Sequence, residues 1–467
     1  MNAITAGIYF LKRALRKQLV HWQGKMKNNK GEKSVIFIKN IHILSMKNKK
    51  IDENQSVVIR EGVIEAIGKD LPMPATFCTI IDGSGQFVMP GLINMHVHLG
   101  DNPNDLLLYL VNGITTIRNM WGYERFRLGH YFFGTRVFNH LKLKKNIENG
   151  LTEGPNIYTA GPLLDGENPF FPKFMYLHAL KDTKQIEKII KSQAKKGYDF
   201  LKIYSKLSLE NFDDIMEISK RYALPVVGHV PDTVDLEHAL KLKIHSIEHL
   251  YGFMNPYYPE KNLDDEQILK MAGLAASGNV WNCPTLIANE RLANIGWQAE
   301  FEDEEQMDYI SLKNKKAMRI LIRESDKVFT KAGNVGPHEY MEQLFHIIGC
   351  LKREGAGILM GTDKSVPYVV AGFSGHKEMQ LLSQAGMSNF EVLKSATIDA
   401  AKCLYKDKEL GTIEPGKKAD LILSRSNPLE DLCAVSNHAG VIKSGVYYSR
   451  EKCDAILQKI KTEMAYT

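Results

Sequence analysis

The sequence predicts an α/β fold, a distorted (β/α)8 TIM barrel carrying a small β-sandwich domain built from the N- and C-terminal flanks. Three observations predict it. From about residue 88 onward, eight short β-rich apolar runs alternate with amphipathic helical stretches, and eight such alternations imply a parallel sheet closed into a barrel. Residues 34–87 and 405–450 read differently, as short strands of alternating apolar and polar residues separated by turns such as "REG", "GKD" and "DGSG". Six residues able to bind metal or carry protons also fall at the ends of the apolar runs, where barrel enzymes place their chemistry.

The elements follow in chain order. Residues 1–33 form a basic arm. Ile8, Leu11, Leu15 and Leu19 recur at helical spacing with Lys12, Arg13, Arg16 and Lys17 between them. Such a helix can lie on an anionic membrane surface, but a solvated or frayed terminal helix is the preferred reading. A signal peptide fits poorly, because no basic residue precedes the short apolar stretch. Residues 34–87 pair with 405–450 in the composite β-domain.

Residues 88–404 form the barrel. Its strand candidates are "VMPGLINMHVH" (88–98), "ITTIRNM" (114–120), "NIYTAG" (156–161), "FLKIY" (200–204), "PVVGHV" (225–230), "SIEHL" (246–250), "VWNCPTL" (280–286) and "GILMGTD" (357–363). Asp182/Thr183 and Ser208 stand where helix N-caps belong. The polar, helical segment 287–356 is an insertion, and residues 451–467 are a C-terminal helix or tail.

Composition excludes several classes. With 44% hydrophobic and 24% charged residues the chain reads as globular, and no apolar run reaches the roughly 20 residues of a membrane span. The six cysteines are scattered without a C-x-x-C, which speaks against a disulfide framework or a zinc–cysteine module. The net charge of +6 resides in the arm. Residues 1–34 carry +7, so the rest of the chain is at −1. A basic groove for nucleic acid is not indicated, and a cytoplasmic location is expected, with attachment to a membrane surface through the arm as the alternative.

The strand ends give a pattern. A strand sends residues i and i+2 to one face, so His96 and His98 point together. Lys202 sits in the fourth run, His229 and His249 end the fifth and sixth, and Asp363 ends the eighth. Neutral imidazole and carboxylate suit a divalent ion. Tyr204, two residues past Lys202, shares its face and can donate a hydrogen bond to a substrate carbonyl. His238 and His245 are read as surface residues.

The motifs "PGLINMHVHL", "NGITTIRNM", "DFLKIYS", "VVGHVPD", "HSIEHLYG", "GTD", "GMSNFEVLKSATIDAAKCL" and "GTIEPGKKADLILSRSNPLEDL" together resemble the amidohydrolase superfamily of metal-dependent hydrolases, in its prolidase-like and imidazolonepropionase-related branch. The resemblance implies two divalent metal ions, Zn²⁺ by preference. His96, His98 and Asp363 would hold the buried one, and His229 and His249 the exposed one. Carbamylated Lys202 would bridge them. It further implies attack of a metal-bridging hydroxide on an amide or peptide-like C–N bond, with Asp363 moving the proton. Small molecules such as dipeptides or N-acyl amino acids are the expected substrates. Arg118, Lys364 and His376 are candidates for holding a substrate carboxylate, since a buried carboxylate needs a cation or several N–H donors. The alternatives are a mononuclear cyclic amidohydrolase or deaminase of the same fold, disfavoured by "DFLKIY", and a non-catalytic assembly relative, disfavoured because no ligand is missing. A homo-oligomer is expected.

Overall fold

A computed structural model describes residues 35–466 except 76–77, 101, 103, 124–138, 172–174, 176, 256–260, 295–297 and 321–335. The basic arm, residues 1–33, lies outside the described residues. Among those described, no helix is long and apolar enough to cross a membrane.

Five strands come from the N-terminal flank: β1 (Val35–Leu44), β2 (Ile51–Arg60), β3 (Val63–Gly68), β4 (Thr79–Asp82) and β5 (Phe87–Pro90). Ten follow in the central region: β6 (Leu92–Val97), β7 (Ile114–Asn119), β8 (Asn156–Thr159), β9 (Leu163–Asp165), β10 (Leu177–Ala179), β11 (Leu201–Ile203), β12 (Val226–Gly228), β13 (Ser246–Glu248), β14 (Trp281–Cys283) and β15 (Gly357–Ile358). The C-terminal flank adds β16 (Leu421–Ser424), β17 (Gly440–Lys443) and β18 (Val446–Ser449).

The flanks join in one eight-stranded sheet, ordered β18-β17-β16-β5-β1-β2-β3, with β4 also on β1. The junction between them is the antiparallel pair β5–β16, with Met89 opposite Ile422. β1 is bent at Asn40, a left-handed residue with φ 58°, where its register with β2 shifts. Before the bend β1 pairs with β4, and after it with β5. A bulge re-aims a strand in this way. Both β4 and β5 run parallel to β1, although short alternating strands joined by turns ordinarily pair antiparallel. The sheet encloses its own core of Ile36, Ile38, Ile41, Ile59, Val88, Leu421 and Ile442.

The central strands are all parallel. β6-β7-β8 form one sheet and β10-β9-β11-β12-β13-β14-β15 another. The two are linked on both sides: Ala160 bridges Phe200, and Met95 N–H donates to Met360 O at 2.9 Å. Each of the eight expected runs contains a strand. β9 and β10 are additional and have three residues each, too short for a periodicity to show. Helices cover the strands with the expected caps. Asp182 accepts from Gln185 N–H ahead of Thr183–Lys196, and Ser208 from Asn211 N–H ahead of Leu209–Arg221. Most of the apolar core lies between these helices and the parallel strands.

The 287–356 segment is helical where described, with Leu286–Ala293, Gln298–Glu302 and Pro337–Glu354 as its helices. The C-terminal helix Arg450–Ala465 buries Cys453 and Ile460. A buried ion pair, Lys443–Asp420 at 3.2 Å, fastens the flank sheet to β8, because Asn156 donates to Asp420 at 2.8 Å and accepts from Lys443 at 3.1 Å.

Candidate active site

The C-terminal ends of the parallel strands bring the predicted residues together. His96 lies in β6 and His98 just beyond it, with ring centroids 5.3 Å apart. Lys202 is the middle residue of β11. His229 and His249 directly follow β12 and β13. Their rings are 5.0 Å apart, and those of His96 and His249 are 4.5 Å apart. Asp363 follows β15, and its N–H donates to the His96 carbonyl at 2.8 Å. Its carboxylate lies 3.3 Å from His98 Nε2 and 3.8 Å from both His96 Nε2 and His249 Nε2.

Close backbone approach makes this clustering possible. A Cβ on Gly361 would meet Cys283 Sγ at 2.3 Å and His96 Cβ at 2.9 Å. Gly228, with φ 143°, lies so near the Ile203 carbonyl that a Cβ would sit 2.2 Å from its oxygen. At the strand ends His249, Leu250, Thr285 and Asp363 all adopt left-handed φ of 48–59°. Non-glycine residues take that conformation at a cost and concentrate at functional sites.

The donor set fits divalent ions. Ligand atoms of His96, His249 and Asp363 all lie within 4.8 Å of one another. His96 Nε2 and Lys202 Nζ are buried without a hydrogen-bond partner, which is costly unless something else meets them. Burial, reinforced by the Lys202 charge, lowers His98 to about 3 and holds His96 and His229 well below the ordinary histidine value. Burial and the neighbouring His96 do the same to His249. The four rings are therefore neutral, as ligands must be. Lys202, only 1% exposed, is brought down to about 8 by burial against the opposing pull of Glu248 and Asp363.

Three imidazoles have their other nitrogen engaged. His96 Nδ1 meets Glu248 Oε2 at 2.7 Å, His229 Nδ1 meets Ser205 Oγ at 2.8 Å, and His249 Nδ1 meets Thr285 Oγ1 at 2.6 Å. Sequence reasoning missed all three partners. The one available signal was Glu248, a carboxylate within an expected strand and next to His249. Tyr204 stands at the rim, its ring 4.1 Å from that of His229. It belongs to an aromatic row that continues through Phe171 at 5.2 Å and Trp121 at 5.1 Å to His98 at 6.2 Å.

The three candidates for a substrate carboxylate are placed differently from expectation. Arg118 is 1% exposed and turned inward, donating to Met95 O at 2.6 Å, Ser246 Oγ at 3.0 Å and Glu248 Oε1 at 2.7 Å. Lys364 pairs with the buried carboxylate of Asp105. His376 Nε2 bonds the Asn112 carbonyl at 3.0 Å, within the helix Phe373–Gln384. Arg118 and Lys364 are paired within the protein, as buried cations must be whether or not substrate comes, whereas His376 keeps its Nδ1 buried without a hydrogen-bond partner. His238 is partly exposed and pairs with Asp213, whereas His245 is half-buried against the Cys403 carbonyl.

Parallel strands whose ends converge on neutral histidines and a carboxylate define an α/β enzyme with its chemistry at one rim. The family is then given by comparison. The model of the Amidohydrolase family matches residues 87–447, and the chain belongs to that family, whose chemistry is hydrolysis at carbon–nitrogen bonds. It is 25% identical over 419 residues to the 5-methylthioadenosine/S-adenosylhomocysteine deaminase of Caldanaerobacter subterraneus subsp. tengcongensis, covering 83% of this chain and 84% of that one. Among solved structures it is similar to bottromycin amidohydrolase (TM-score 0.71, 23% identity, 96% of each chain). It is also similar to a Xaa-Pro dipeptidase with bound methionine (TM-score 0.67, 23% identity, 89% of this chain and all of the other).

Proposed function

We propose that this chain hydrolyses the amide bond of small molecules such as dipeptides or N-acyl amino acids at a binuclear metal centre. The scaffold is a distorted (β/α)8 barrel over residues 88–404, with residues 34–87 and 405–450 forming a composite β-domain beside it. One observation carries the reading: Lys202 Nζ is buried without a hydrogen-bond partner amid histidines that its charge depresses. A permanent ammonium there would be buried without a partner and would repel any cation that the neutral histidines could hold. Burial favours the free amine, the form that takes up carbon dioxide and becomes an anionic carbamate.

In this reading His96, His98 and Asp363 would hold one ion and His229 and His249 the other, and carbamylated Lys202 would serve as a shared anionic ligand. Divalent ions in that place, Zn²⁺ by preference, ionise a water near neutral pH and polarise the scissile carbonyl. The chain's own groups do the rest. Asp363 stands 13% exposed at the rim, able to take a proton from the nucleophile and hand it to the departing nitrogen. Tyr204, whose ring lies beside that of His229, would donate to the substrate carbonyl, and the aromatic row from Tyr204 to Trp121 would supply an apolar wall for a substrate side chain. The Xaa-Pro dipeptidase likeness supports a peptide-like substrate. The deaminase relative supports a second reading, a mononuclear enzyme in which Lys202 is only structural.

A metal count on purified protein, with ¹³C NMR of a carbamate formed from labelled bicarbonate, separates the two readings. Two ions per chain and a carbamate signal are expected, followed by turnover in a screen of dipeptides and N-acyl amino acids. One ion without a carbamate would leave the mononuclear reading.

A further inference from the structure

We propose that Glu248 is a positioning residue for His96, and that a buried Arg118–Glu248–His96 relay fixes the ring in the single tautomer that presents Nε2 to the site. The inference rests on the metal reading above and concerns a part of it that the ligand set leaves open.

Glu248 is fully buried, and its two oxygens do different things. Oε1 receives Arg118 Nη2 at 2.7 Å and Ser246 Oγ at 2.5 Å. Arg118 is a permanent cation that only donates, and the Glu248 carboxylate paired with it at 2.7 Å serves as acceptor. Oε2 is left for His96 Nδ1 at 2.7 Å, which must therefore carry the proton. A neutral ring protonated at Nδ1 has its lone pair at Nε2, and Nε2 is the buried atom without a hydrogen-bond partner.

The other two partners lack this property. Ser205 and Thr285 meet His229 and His249 through hydroxyls, which donate as readily as they accept and so do not decide the tautomer. Of these three rings, only that of His96 meets an acceptor-only group through Nδ1. Arg118 has a second effect: it balances the Glu248 charge, so that the carboxylate within reach of His96 and Cys283 is held as a hydrogen-bond acceptor rather than drawn in as a further ligand. Groups of this kind orient a ligand and raise its basicity.

The test uses full-length protein in four forms: wild type, Glu248→Gln, Arg118→Met/Glu248→Met, which removes both buried charges together should the single variant fail to fold, and His96→Asn, which identifies the His96 signal. Zn²⁺ affinity is measured by competition with a chromophoric chelator, and ring tautomers by ¹⁵N NMR of the metal-free protein with histidine labelled. The expected result is an affinity about 10- to 100-fold weaker in whichever variant shows wild-type circular dichroism, together with loss in the double variant of one Nδ1–H histidine signal that His96→Asn also removes. Unchanged affinity and an unchanged His96 signal in a folded variant would overturn the relay. Absence of Zn²⁺ binding by wild type would overturn the metal reading itself, while the NMR signal would still report whether Glu248 fixes the ring.

Discussion

Glu378 accepts the backbone N–H of Ile287 at 2.7 Å and, through its other oxygen, that of Leu286 at 3.0 Å. These are orphan donors at the start of the helix Leu286–Ala293. Thr285, the N-cap, makes no side-chain cap of its own, because its hydroxyl is engaged with His249. A glutamate from the helix Phe373–Gln384 therefore caps the element that steadies a candidate ligand.

Glu378 should make stability depend on pH. Burial raises it from 4.5 to about 8, so the unfolded chain releases this proton first as pH rises. Its contribution is fully present below about 4.5 and is lost as pH climbs through 8. Melting midpoints of wild type and Glu378→Gln between pH 5 and 8 should diverge, wild type falling more steeply. Parallel curves would show that Glu378 does not titrate in this range.

Lys202→Ala should lose most activity and much of the bound metal. Short carboxylic acids, which can occupy the vacated position as a bridging anion, should restore part of both. Full activity in this variant would eliminate the bridged centre.

Asp363→Asn keeps a coordinating oxygen and removes the base. Turnover should fall by ~10²-fold or more, within the range of general acid–base groups, with metal content near wild type. Near-normal turnover would place the base elsewhere.

Arg118→Met is expected to reduce activity on an N-acyl amino acid and on its matching amide by the same factor, since the guanidinium faces Glu248 and not the rim. A loss confined to the acid would return Arg118 to the substrate.

Phe171→Ala should lower kcat/KM for substrates bearing an aromatic side chain by about 2- to 12-fold, corresponding to the ~0.5–1.5 kcal/mol of an aromatic pair. Glycine-containing analogues should change little. Equal losses on both series would count against the aromatic row as a specificity wall.

Much of the arrangement was legible in the sequence because strand ends and ligand types coincide. His96, His98, Lys202, His229, His249 and Asp363 could be placed at one rim from run boundaries alone, and the structure brings them together there. What the sequence did not reveal was the partner each cation meets within the fold. Arg118 and Lys364 were legible as charges near the rim, but their partners, Glu248 and Asp105, stand 130 and 259 positions away in the chain. Pairings at that distance leave no local periodicity. Ser205 and Thr285 escaped notice for a related reason: a hydroxyl beside a strand end is unremarkable until the fold sets it against an imidazole. The short β9 and the parallel placement of β4 and β5 likewise depend on tertiary contacts that override local pattern.

The β5–β16 pairing has a consequence for how the protein is made. Val88 and Leu423 stand opposite each other in this pairing, yet a ribosome adding ~5–20 residues per second needs roughly 15–70 s to travel from one to the other. Throughout that interval the nascent N-terminal strands carry an open, apolar edge that is a template for wrong partners. A late part of the chain closes an earlier one, so a message cut short anywhere before Leu421 leaves β5 paired with β1 but open along its other edge, however complete the segment between.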